Sequence, residues 1–290
     1  MITESLPEHS TLKMLGPYFI GTLFTAAFGA FAGAWASSHR ETKRAIIAEL
    51  NSISAARMLT FPICNKFLAL KKQIVLPNHT EYQTSREAFV RAREAFLKGS
   101  PNPIPEFRAN LQTITPIWLP TQSLERQIFE KISIRGRALA AAVDLVGAID
   151  AVDKSLRYRN ELIVEIKQQS PIPPLQLALR YYGLRATGDV IDERFLSNVQ
   201  AIYVQTDDCI FFARTLADDL FDYGTQLRRR NAWKFRLGIP KMVREDWKFA
   251  EKEGLLPDIS LYEKWLRGFP KQPGGIQRLR NRLLARKASV

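Results

Sequence analysis

From Met14 to Ser38 the chain reads MLGPYFIGTLFTAAFGAFAGAWASS, without a single charged side chain. A helix over that run is about 37 Å long at about 1.5 Å per residue, enough to cross a hydrocarbon core of about 30 Å with some tilt. Tyr18 and Trp35 stand near its two ends, where amphipathic rings suit membrane–water interfaces. The sequence therefore predicts a transmembrane helix over residues 14–38. Ala34-Trp35-Ala36 has the small-x-small form of a signal-peptide cleavage site. The leader, however, carries Glu4 and Glu8 against Lys13, and the apolar run exceeds the roughly 7–15 residues of a signal core. The expectation is an uncleaved anchor.

Charge sets the expected orientation. Arg40, Lys43 and Arg44 follow the run, and Lys13 alone precedes it. The positive-inside bias then places a short N-terminus (residues 1–13) outside and residues 39–290 in the cytoplasm, as for a single-pass protein of a cell inner membrane. Within the span, Gly21, Thr25, Gly29, Gly33 and Ser37 recur every fourth residue. Small residues at this spacing admit a second helix closely, so the row is the expected helix–helix contact, with a second copy or a partner membrane protein.

The remainder reads as helix. Ile46, Leu50 and Ile53 continue the periodicity beyond the anchor, and a further helix is expected over Glu81–Lys98, after a stop at Pro77-Asn78. The longest helix is expected from Ser123 to Gln169, carried by Leu124, Ile128, Ile132, Leu139, Val143, Val146, Ile149, Val152, Leu156, Ile163 and Ile166. Another is expected over Asp189–Arg229, with Phe195, Val199, Ile202, Phe211, Leu216 and Leu220. Strand patterns are nearly absent. The expected fold is all-α: an antiparallel bundle with long coiled-coil-like helices over residues 39–224.

At Thr225 the composition shifts. Residues 225–290 hold 17 Lys+Arg against 6 Asp+Glu, and so carry most of the net charge of +13. The basic positions include Arg228, Arg229 and Arg230, then Arg278, Arg280, Arg282 and Arg286, with Trp233, Trp247 and Trp265 interleaved. Beside an anchor, such a tail is expected to lie on anionic lipid, where each cation near the surface contributes about 1 kcal/mol. Nucleic-acid binding through arginines and stacked tryptophans is the competing reading. A solvated positive tail is the third.

Catalytic signatures are scarce. Cys64 and Cys209 are the only cysteines and His9, His39 and His79 the only histidines, which excludes a disulfide scaffold and most His-based metal chemistry. Both cysteines are expected to be buried apolar residues. One acidic motif stands out: Asp218-Asp219-Leu220-Phe221-Asp222, followed by Arg228-Arg229-Arg230. Carboxylates at this spacing on a helix can hold Mg²⁺ and, with arginines, a diphosphate. The stretch resembles the first aspartate-rich motif of isoprenyl diphosphate synthases, which are also all-α. That resemblance covers residues 218–230, places the arginines one position late, and has no second Asp-Asp-x-x-Asp behind it. It implies a Mg-dependent enzyme acting on a diphosphate lipid through Asp218, Asp219 and Asp222. The expectation preferred over it is non-enzymatic, with no catalytic residue, metal or cofactor: a membrane-anchored interaction, scaffold or regulatory protein. A membrane-tethered nucleic-acid binder is the remaining alternative.

Overall fold

A computed structural model describes residues 11–99, 107, 109–168, 172–185, 191–235 and 241–271, with side chains from residue 24 onward and, in the last long helix, up to residue 232. Among these the protein is all-helical, with no strand. Helix α1 (Thr11–Leu70) passes through a π-helical turn (Lys71–Val75) directly into α2 (Leu76–Leu97). After an extended stretch come α3 (Thr121–Lys131), α4 (Arg137–Gln168), α5 (Pro174–Tyr181) and α6 (Arg194–Phe235). A final strap carries α7 (Lys248–Lys252), a 3₁₀ turn (Ile259–Tyr262) and α8 (Glu263–Gly268).

The apolar spacing explains the packing. Leu50, Ile53, Ile63 and Phe67 of α1 are buried at steps that keep them on one face. Ile202, Ile210, Leu216 and Leu220 do the same on α6, and Ala141, Leu145, Val152 and Leu156 on α4. Helix α6 lies along both α1 and α4, with α3 closing against α1. Polar contacts fix the directions. Tyr223 Oη donates to Glu49 Oε1 at 2.7 Å, and far along the same pair Lys71 Nζ meets Asp207 Oδ1 at 2.5 Å. Against α4, Arg137 pairs with Asp219 and Ser155 Oγ donates to Gln205 Oε1 at 2.8 Å. Helix α6 therefore runs antiparallel to both neighbours. A second core at the far end gathers Tyr82, Phe89, Ile163, Ile166, Tyr181, Tyr182 and Phe195.

Several sequence expectations are corrected. The helix expected over Ser123–Gln169 is two helices, because Ile132 turns extended and Gly136 takes φ +68°, a left-handed value that suits glycine. Pro77 does not stop the helix: it sits at the start of α2, just after the π turn, where a missing N–H is tolerated. Likewise α6 begins at Arg194 rather than Asp189 and ends at Phe235 rather than Arg229.

Among the described residues, no helix is long and apolar enough to cross a membrane. The expected span of residues 14–38 is helical throughout, but the side chains of residues 14–23 lie outside the described residues. The remainder, residues 24–38, extends only about 22 Å as a helix, short of the roughly 30 Å that a crossing needs. Those side chains stand in the open. Phe24, Phe28, Phe31 and Trp35 are 64–78% exposed, and burial on α1 begins in earnest only at Leu50.

The strap wraps α6. Arg57 on α1 donates to the Val243 carbonyl and meets Glu245 Oε2 at 2.5 Å, and Trp247 is buried beside Phe61. Lys71 Nζ donates to the Leu255 carbonyl at 3.0 Å. The chain then crosses α6, where Tyr262 stacks on Phe211 at 3.8 Å and Trp265 Nε1 donates to Asp144 Oδ2 at 2.6 Å on α4. It comes back to α6 at Lys271, which pairs with Asp222.

Candidate anion-binding cleft

The break between α3 and α4 has a consequence at the end of the bundle where α1 is bare. The exposed loop residue Arg135 and the first residue of α4, Arg137, face the last turns of α6 across an open cleft of about 380 Å³. Asp219, Asp222, Tyr223 and Arg230 line it from α6, and Lys271 enters from the strap. Ile134, Ala138 and Leu227 give it an apolar floor.

The charges within the cleft are unequally satisfied. Arg137 grips Asp219 with two nitrogens, Nε to Oδ2 at 2.8 Å and Nη2 to Oδ1 at 2.5 Å. This fork-on-carboxylate geometry is the strong form of the contact, and it pushes the Arg137 guanidinium above its usual pKa. Lys271 answers Asp222. Arg135 and Arg230 line the same cleft, and neither makes an ion pair or hydrogen bond among the described residues. Both bear electrostatically on Tyr223, yet its phenol is held well above its ordinary pKa, first by burial and then by its bond to Glu49. Tyr223 therefore stays neutral, with its proton committed to Glu49. Glu49 also accepts the Ser133 N–H at 2.9 Å, so this carboxylate ties α1 to the loop that carries Arg135.

The three aspartates of the acidic motif are thus placed on three different cations. Asp219 goes to Arg137, Asp222 to Lys271, and Asp218 to Arg244 at 3.2 Å. Among the described residues no group of three or more His, Cys, Asp or Glu side chains could hold a metal ion. Of the arginines following the motif, Arg228 is half-buried and Arg229 and Arg230 are exposed, and only Arg230 lines the cleft. Arg278, Arg280, Arg282 and Arg286 lie outside the described residues. In the small-residue row, Gly21 also lies outside the described side chains, while Thr25 and Ser37 are exposed. A Cβ at Gly29 or Gly33 would meet nothing within 4 Å.

Sequence reasoning missed Arg135, Arg137, Tyr223 and Lys271. The available signal was Arg135-Gly136-Arg137, a glycine between two cations, which a continuous helix over Ser123–Gln169 had absorbed. The two cysteines are free and buried. Burial pushes the Cys64 thiol up to about 12 and the Cys209 thiol well above its ordinary value, which disfavours the thiolate of each in the folded chain. No known protein family, curated protein or solved structure matches the chain.

Proposed function

We propose that the protein is a single-pass membrane-anchored interaction or scaffold protein, with its N-terminus outside and its helical bundle in the cytoplasm. The observation that carries this reading is the bare stretch of α1. Phe24, Phe28, Phe31 and Trp35 lie on an unbroken helix with no covering element among the described residues. Each such side chain gains about 1.5–3 kcal/mol when removed from water, so four left open on one helix call for an apolar surrounding.

Charge supports a bilayer as that surrounding. Measured from the Glu49–Tyr223 contact, Arg40, Lys43 and Arg44 lie about 7–14 Å toward the bare end of α1. Arg228, Arg229 and Arg230 lie about 7–11 Å in the same direction along the antiparallel α6. The antiparallel pairing so gathers two basic clusters into one collar where the apolar stretch begins. That is the arrangement expected at a cytoplasmic lipid surface, where such cations favour anionic headgroups. Self-association through the row bearing Gly29 and Gly33 belongs to this reading, since small residues there leave room for a second helix.

Fractionation tests the reading. The full chain should pellet with membranes, resist extraction by alkaline carbonate and high salt, and be released by detergent. A Phe24→Asp, Phe28→Asp, Phe31→Asp variant should appear in the soluble fraction. Release of the unaltered chain by carbonate alone would overturn the anchor.

A further inference from the structure

We infer that the cleft between the α3–α4 loop, α6 and the strap is a binding site for a phosphate monoester, read by Arg135 and Arg230. Four cations line it, Arg135, Arg137, Arg230 and Lys271, against the two carboxylates Asp219 and Asp222. Glu49 behind Tyr223 lowers the balance further, to +1. The internal pairs are also specific about which cations are engaged. Arg137 and Lys271 hold the two aspartates, and Arg135 and Arg230 remain with no carboxylate of their own among the described residues.

Two guanidinium forks lining one cleft, one from the α3–α4 loop and one from α6, suit a group with three acceptor oxygens and more than one negative charge. A phosphate monoester at neutral pH has both, carrying about −1.5 to −2, whereas a diester has one charge and two free oxygens. The surrounding ion pairs hold the site in shape without an occupant. Arg137–Asp219 fixes α4 to α6, Lys271–Asp222 fixes the strap, and Glu49 fixes the loop through the Ser133 N–H. The apolar floor of Ile134, Ala138 and Leu227 gives the carbon side of the ester a surface to rest on.

The ester has two possible sources, a lipid headgroup of the phosphatidate type and a soluble phosphorylated metabolite. Only the lipid source rests on the membrane reading above. The test therefore uses the full chain in neutral detergent, with inorganic phosphate and glycerol 3-phosphate as soluble probes. In parallel, the chain is presented with neutral phosphatidylcholine nanodiscs doped with phosphatidate or with phosphatidylglycerol. Saturable binding of a soluble probe or of phosphatidate discs, weakened at least tenfold by Arg135→Gln plus Arg230→Gln, supports the site. Both side chains are exposed, so the variant should keep its helical circular dichroism. Arg126→Gln plus Lys154→Gln removes two exposed cations elsewhere and should leave binding unchanged. Binding of the soluble probe with no preference for phosphatidate discs would keep the site and assign the ester to a soluble source. No saturable binding of either soluble probe or of phosphatidate by the unaltered chain, or equal loss in both double variants, would overturn the proposal.

Discussion

Lys71 is 3% exposed, sits in the π turn, and reaches both Asp207 Oδ1 at 2.5 Å and the Leu255 carbonyl at 3.0 Å. Lys71→Met keeps the aliphatic bulk but removes the only cation paired with Asp207 among the described residues. Burial already pushes the Asp207 carboxyl above its ordinary pKa, with Lys71 pulling the other way. Without Lys71 nothing offsets the burial, which favours the protonated form of Asp207 in the folded chain. A carboxyl whose folded pKa lies above its unfolded value binds more protons folded than unfolded, so its contribution falls as pH rises. Relative to an unfolded aspartate near 3.9, full protonation costs about 1.5 kcal/mol at pH 5 and about 4.2 kcal/mol at pH 7. The second figure agrees with the roughly 3–5 kcal/mol for removing one partner of a buried ion pair.

Urea unfolding of the full chain in neutral detergent, followed by tryptophan fluorescence at pH 5 and pH 7, measures the effect. The variant should lose about 2–3 kcal/mol more at pH 7 than at pH 5. Adding Asp207→Leu should recover most of the loss, leaving about 1 kcal/mol for the Leu255 carbonyl deprived of its donor. A loss that is equal at both pH values, or below about 1 kcal/mol at pH 7, would refute the reasoning.

Two smaller tests probe other parts of the fold. With the Cys64 thiol raised to about 12 and Cys209 higher than ordinary, iodoacetamide at pH 8 should leave both unmodified in the folded protein and label both in urea; rapid labelling without denaturant contradicts their burial. Gly183 takes φ +63° after α5, and a Cβ there would lie 3.1 Å from Leu196 Cδ2, so Gly183→Ala should cost about 1–3 kcal/mol in the same urea assay.

The fold class was legible because apolar steps of three and four residues persist along α1, α4 and α6; most of those positions are buried or half-buried, although on α4 Val143 is exposed and Ala141 and Leu145 take the core instead. The break before α4 was not, since Ile128, Ile132 and Leu139 keep a helical step straight across it. A single glycine at positive φ overrides the pattern, and nothing in the periodicity announces which glycine will do so. The passage from α1 into α2 was hidden differently. Proline after an apolar helix reads as a stop, but a π turn ahead of it moves Pro77 into the tolerant first turn of the next helix.

The acidic motif shows where local spacing loses its authority. Asp219 and Asp222, at i and i+3, line the same cleft, while Asp218 is turned about 100° from Asp219. A metal site needs these carboxylates to converge, and convergence depends on what approaches each face from outside the helix. Arg137 comes from α4, Arg244 from the start of the strap and Lys271 from its end, so the three carboxylates clamp α6 to separate elements. The same topology decides the cleft. Its cations come from a loop, two helices and the strap, and the two without carboxylate partners among the described residues, Arg135 and Arg230, are far apart in sequence. What distinguishes them is that, among the described residues, the cleft's aspartates pair with other cations once the chain has folded, a property of the packed bundle rather than of any short stretch of residues.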